Sequence, residues 1–298
     1  MVGKSVLNEL TAYQQGMQIA DVKKKYQLDR IVKLASNENP YGYSKKVDEF
    51  LNDVERDFEL YPDGYATVLR EKLAQKLSLS EKQLVFGAGS DEIITFVCRA
   101  FLYPGVNTVM ATPTFTQYRH HALIEGAEIK EIPTENGRHN LTNMLDAIDD
   151  GTKVVWICSP DNPTGELIEE NELKTFLDKC PVDVIVVLDA AYYEFIDEDK
   201  RYHLNELLEH YPNLIILRTF SKIYGLAGFR VGYAMASEDI AHKLNVVRGP
   251  FNTTSIGQRV ATIALDDDEF IRNTQRANQR VRSAFEQFLK SIGWGYYE

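Results

Sequence analysis

The chain has 298 residues, 44% hydrophobic and 26% charged, with a formal net charge of -11. That length suits one large domain with a smaller second lobe, with a core large enough to need no disulfides. The acidic balance without a basic block speaks against nucleic acid, and the lack of an apolar run of about 18 residues speaks against a membrane span. In chain order, "QLVF" (83–86) reads as a strand. It runs through "GAGS" into a helix whose apolar residues Ile93, Ile94, Phe96, Val97, Ala100 and Phe101 recur at helical spacing until Pro104-Gly105 stops it. "NTVMATPTF" (107–115), "GAEIKEIPT" (126–134) and "TKVVWICSP" (152–160) read as strands, and "EENELKTFLDKC" (169–180) as a helix. "VDVIVVLD" (182–189), "NLIILRTFSK" (213–222) and "FRVGYAMA" (229–236) are three more strands, and residues 266–293 form a long amphipathic helix. Continuous Val/Ile/Leu runs alternating with helices predict an α/β fold, three layers α/β/α around a mostly parallel sheet. Ligands collect at the carboxyl ends of such strands.

The residues at those ends are therefore the candidates. After the first strand comes Gly87-Ala88-Gly89-Ser90, where glycines allow close approach and a helix start offers free N–H groups to an anion. Alone, Ser90 reads better as a helix cap, with Asp91 and Glu92 complementing the helix dipole, and the two acids would repel a phosphate unless turned away. The third glycine of a dinucleotide fingerprint is missing, Glu92 standing there, which disfavours a nicotinamide dehydrogenase. Phe115, with Tyr118 one turn on, offers a stacking face or is core. Asn162, in "SPDNPTG", is a turn residue whose amide can also donate to a ligand oxygen. Asp189 ends a very apolar strand and needs a cationic partner, from a ligand or from this chain. Tyr192 follows it. Thr219, Ser221, Lys222 and Arg230 close the series. Jointly these groups suit a phosphorylated aromatic aldehyde: hydroxyls, helix N–H groups and an arginine for the phosphate, a carboxylate for a ring nitrogen, and a lysine for the Schiff base.

On these motifs, together with "KLASNENPYG" (33–42), "YPDGYATVLREKLA" (61–74), "RTFSKIYGLAGFRVGY" (218–233) and "VRGPFNTTSIGQ" (247–258), the chain resembles the fold-type-I pyridoxal-phosphate aminotransferases, and within them the histidinol-phosphate aminotransferases. The resemblance spans nearly the whole chain. It implies pyridoxal 5'-phosphate as cofactor, with Lys222 bonded to its aldehyde, Asp189 on its ring nitrogen, and Asn162 and Tyr192 on its ring oxygen. It places Phe115 against the ring, and Ser90, Thr219, Ser221, Arg230 and the backbone of Gly89 and Asp91 around the phosphate. Tyr61 is implied to reach the cofactor phosphate of a second subunit, hence a homodimer with shared active sites. Tyr13 and Asn39 are implied to border the substrate. The implied reaction is L-histidinol phosphate with 2-oxoglutarate giving imidazole-acetol phosphate and L-glutamate, in histidine biosynthesis. An aromatic aminotransferase, a decarboxylase of a phosphorylated amino acid, and a non-catalytic regulator on the same scaffold are the alternatives.

Three departures stand beside functional positions without removing a role: Ala88 where relatives often have Asn, Asp161 where Asn is common, and Ala190 where Glu is frequent. The resemblance divides the chain into an N-terminal arm with part of a small domain (1–44), a large cofactor-binding domain (45–265) and the start of a C-terminal small domain (266–298). Relatives continue past "SIGWGYYE" into a lobe carrying a substrate-reading arginine, so the chain is expected to be C-terminally truncated. Cys98, Cys158 and Cys180 lack CxxC spacing and none of the six histidines has metal-ligand spacing, so no metal is expected. The N-terminal stretch lacks the apolar segment of a secretory signal, which leaves the cytoplasm as the expected location.

Overall fold

The computed structural model describes residues 3–12, 16–54, 57 and 59–297. Seven strands form one sheet: β1 (Leu84–Gly87), β2 (Asn107–Thr112), β3 (Glu128–Pro133), β4 (Thr152–Cys158), β5 (Ile185–Asp189), β6 (Leu214–Thr219) and β7 (Gly232–Ala236). Their order is β1-β7-β6-β5-β4-β2-β3. All neighbouring pairs are parallel except those of β7, which is antiparallel to both β1 and β6. A parallel return needs a long crossover, usually a helix. Between β6 and β7 lie only residues 220–231, with the 3-10 turn Ala227–Phe229 and no α-helix, so β7 comes back reversed.

The apolar runs are continuous because both sheet faces are covered. One face carries Val85, Met110, Trp156, Val187 and Leu217 against a core that includes residues of the helices Ser90–Phe101, Gln117–Glu125 and Glu238–Val247. The other carries Phe86, Val109, Ile157, Leu188 and Ile216 against the helices Thr67–Leu77, Glu170–Lys179, Leu204–His210 and Ser255–Ala264. The expected α/β/α layering is thus present. The helix Asp268–Ser291 follows as expected, with Thr274 its only buried residue.

One charged pair sits within this core. Arg218 of β6 donates from Nη2 to Glu194 Oε1 at 2.5 Å, and its guanidinium stacks 4.3 Å from the Tyr193 ring centroid. Both residues are buried. Removing one partner strands the other charge away from water. Glu194→Ala is expected to lower stability by about 3–5 kcal/mol, read as a drop in the urea midpoint at unchanged slope.

Candidate active site

The register of the central strands brings their carboxyl ends level: Cys158 of β4 lies beside Asp189 of β5, and Asp189 beside Leu217 of β6. Asp189 is 3% exposed. Its Oδ1 accepts from the Ala191 N–H at 3.1 Å and its Oδ2 from the Tyr118 hydroxyl at 2.7 Å. Burial pushes this carboxyl up to about 6, although both hydrogen bonds and the Lys222 amine favour the anion. Lys222 stands in the turn after β6, donates from Nζ to the Ser36 carbonyl at 3.1 Å, and lies 5.4 Å from the Tyr192 ring centroid. Burial lowers the pKa of its amine, with Arg230 acting in the same direction and Asp189 and Glu38 opposing. An amine so placed loses its proton more readily than a solvated lysine, which is what a nucleophile or a base requires. Tyr192, pushed up to about 12 chiefly by burial, accepts a hydrogen bond from Asn37 Nδ2 at 2.9 Å. Its own hydroxyl proton is thereby free to point elsewhere.

Beside Lys222 the chain builds a polar cradle. The helix Ser90–Phe101 begins without a side-chain cap, Gly89 standing at the capping position with φ +84. Ser90 therefore does not cap it, and among the described residues no side chain accepts from the first-turn N–H groups. Glu92 is turned back, its carboxylate accepting from the Ala88 N–H at 2.7 Å and from Asn252 Nδ2 at 2.6 Å. Asp91 keeps one carboxylate oxygen buried without a hydrogen-bond partner among the described residues. Arg230, itself left-handed at φ 54, donates to the Ala88 carbonyl at 2.7 Å and to Ser221 Oγ at 3.3 Å. The Ser221 N–H donates to Thr219 Oγ1 at 3.1 Å. A Cβ at position 89 would lie 2.5 Å from Arg230 Nη2, so this approach needs glycine there.

A cavity of about 520 Å³ opens at Lys222, lined among others by Asn162, Tyr192, Asn39 and, from the long helix, Asn278 and Arg282; the cradle residues and Asp189 are not part of its lining. Asn39 is fixed by donating to the Ile223 carbonyl at 2.8 Å and accepting from the Tyr41 N–H at 2.9 Å. Phe115 packs edge-on against Tyr118, ring centroids 5.5 Å apart. Tyr61, expected to reach a second subunit's site, is 84% exposed and stacks on Phe251; Tyr13 lies outside the described residues. Three contacts were not anticipated: the Ser36 carbonyl on Lys222, Asn37 on Tyr192, and the Tyr118 hydroxyl on Asp189. Tyr118 was visible as an aromatic one turn past Phe115, but its partner was not.

Among the described residues no group of His, Cys, Asp or Glu is arranged to hold a metal. The site suits a ligand with three distinct ends: an anion for the uncapped helix start and Arg230, a cation for Asp189, and an electrophile for Lys222. Pyridoxal phosphate, with its phosphate, protonatable ring nitrogen and aldehyde, fits that donor set.

Proteins of known family resemble this chain over nearly its whole length. Histidinol-phosphate aminotransferase 2 of Oceanobacillus iheyensis is 55% identical over 299 aligned residues, which cover all of this chain and 82% of that protein. Histidinol-phosphate aminotransferase of Anoxybacillus flavithermus is 50% identical, the match covering 99% of this chain and 80% of that one. The crystal structure of histidinol-phosphate aminotransferase from Sinorhizobium meliloti in complex with pyridoxal-5'-phosphate superimposes with a TM-score of 0.90 at 24% identity, covering 98% of this chain and 78% of that one, and so shares the fold. The sequence pattern of the class I and II aminotransferases matches residues 29–298, and the chain belongs to that family.

Proposed function

We propose that the chain is a pyridoxal-phosphate-dependent transaminase that passes the amino group of L-histidinol phosphate to 2-oxoglutarate, a step of histidine biosynthesis. The observation that carries the chemistry is the half-buried Lys222 amine, its proton loosened by burial, next to the buried Asp189 and opening into the cavity. The substrate follows from the names of the relatives that match the whole chain. When bound, the cofactor supplies an aldehyde for the amine and a protonated ring that draws electron density from the substrate's α-carbon. Lys222 would hold the aldehyde, and its amine, once free, would move the α-proton as general base. Asp189 would pair with the ring nitrogen and favour its protonated form. Asn162 and Tyr192 would hold the ring oxygen, Tyr192 with its proton available because Asn37 donates to its oxygen. Phe115 would cover the ring, while Ser90, Thr219, Ser221, Arg230 and the amides of Gly89 and Asp91 would hold the phosphate. Asn39 borders the substrate.

Exposed Tyr61 suits the implied contribution to a second copy's site, so the proposal includes a homodimer. Among the described residues no helix is long and apolar enough to cross a membrane. Three free, buried thiols suit a reducing compartment, and the proposal places the reaction in the cytoplasm.

The test is the absorbance spectrum of the purified protein with added cofactor, before and after borohydride. A visible band that borohydride abolishes, with the reduced cofactor found by mass on the peptide carrying Lys222, is the expected result. A donor panel of histidinol phosphate, aromatic amino acids and phosphorylated amino acids then identifies the substrate by kcat/KM. A folded protein that gains no band and turns over no donor would exclude the reading.

A further inference from the structure

Tyr118 belongs to the helix Gln117–Glu125 and is completely buried. Its ring lies nearly parallel to that of Trp156, centroids 4.8 Å apart and planes 12° from coincidence. Trp156 cannot shift easily: it is itself fully buried, and its Nε1 donates to Thr108 Oγ1 at 2.9 Å, which donates in turn to the Val154 carbonyl at 2.7 Å. The edge of Phe115 closes another side. The phenol is thus held by packing on β2 and β4, and its hydroxyl donates to Asp189 Oδ2 at 2.7 Å. A buried hydroxyl without a partner is costly, so this position would favour phenylalanine if it served packing alone.

We propose that Tyr118 is a positioning residue for Asp189: its hydroxyl fixes the rotation of the carboxylate and holds it ionised, and so sets the basicity that the carboxylate presents to the cofactor's ring nitrogen. This rests on the reading of the site as a pyridoxal-phosphate site. The Ala191 N–H takes the other carboxylate oxygen, so two donors on opposite sides define the plane of the group. Both bonds favour the charged form. The other ionisable neighbours do not replace them. Lys222 favours the anion from the β6 turn, Asp91 opposes it from the helix Ser90–Phe101, and Tyr192 and Cys158 are both pushed up by burial and stay neutral. Without the hydroxyl the carboxylate keeps one anchor, rotates more freely and takes a proton at higher pH. A protonated Asp189 would no longer pair with a cationic ring nitrogen.

The experiment uses Tyr118→Phe, which keeps the stack on Trp156. In the cofactor-free protein the carboxyl titration of Asp189 is followed by carbon-13 NMR, its signal assigned by its loss in Asp189→Asn. Wild type is expected to titrate near about 6, and the variant about one unit higher. In the loaded enzyme kcat is expected to fall about tenfold with a donor KM changed less than about twofold. An unchanged Asp189 titration in Tyr118→Phe overturns the inference even if kcat falls, because a packing defect lowers activity without moving that titration. A shifted titration in a protein that takes up no cofactor would overturn the reading of the site while leaving the effect of Tyr118 on Asp189 standing. Should Tyr118→Phe not fold, 3,5-difluorotyrosine at position 118 is a stronger donor and is expected to move the titration down; no movement overturns the inference.

Discussion

Lys222→Ala is expected to lower turnover by about ten-thousandfold or more, because one amine serves as both covalent anchor and proton carrier. The site has no substitute for it. The neighbouring cation, Arg230, is committed to the Ala88 carbonyl and Ser221, and a guanidinium is not an amine that can bond an aldehyde. Lys222→Arg is the sharper comparison. It keeps a positive charge beside Asp189 but supplies no free amine at any working pH, so its loss should equal that of alanine. If Arg restored a substantial fraction of turnover, charge and not amine chemistry would be the role of this position. Borohydride should fix no cofactor on either variant, and mass spectrometry of the reduced protein checks this directly. Neither substitution touches the sheet, so the thermal midpoint of Lys222→Ala should stay within a few degrees of wild type.

The parts of this site that were legible in the sequence are those that follow strand ends. The runs "VIVVL" and "NLIILR" had to be strands buried on both faces, and a chain of that type gathers its functional groups at one edge. Asp189, Lys222 and Asn162 could be placed by that rule before any contact was known. Illegible were the contacts that depend on chain segments meeting from far away. Ser36 reaches Lys222 across 186 positions, and Asn37 reaches Tyr192 across 155. Ser36 and Asn37 both have positive φ, at 71 and 49, a local conformation that no apolar periodicity announces. The aromatics at 115 and 118 read as a stacking face or as core, and the Tyr118 ring is core; what periodicity cannot report is where a buried hydroxyl points. The reversal of β7 followed from the length of one connection, a feature present in the sequence but outweighed by the parallel pattern around it. The acids at 91 and 92 looked hostile to an anion. Glu92 is reconciled by turning onto the Ala88 N–H, a local capping contact that only the folded backbone displays.

Asp189→Asn is expected to cut turnover about a thousandfold or more while cofactor attachment to Lys222 persists. The substitution is nearly isosteric. The amide oxygen can keep the Ala191 N–H, and the Tyr118 hydroxyl can reverse to accept from the amide nitrogen, so the loss isolates the charge. Stability should move the other way. The folded-state value of about 6 lies above the ordinary 3.8, so the folded protein binds this proton more tightly than the unfolded chain. The stability contributed by that proton is fully present below about pH 4 and is lost as pH rises through about 6. Above that, wild type keeps a desolvated carboxylate that the variant lacks. Cofactor-free Asp189→Asn should therefore exceed wild type in stability at pH 8 by on the order of 3 kcal/mol, with the gap closing toward pH 4. Urea unfolding at the two pH values measures it, and a gap that did not depend on pH would mean that Asp189 is not held ionised at a cost. The cofactor should narrow the gap, since a cationic ring nitrogen gives the buried carboxylate the partner that this chain withholds from it. A residue that destabilises the empty protein and is compensated when the site is filled is placed for the ligand and not for the fold.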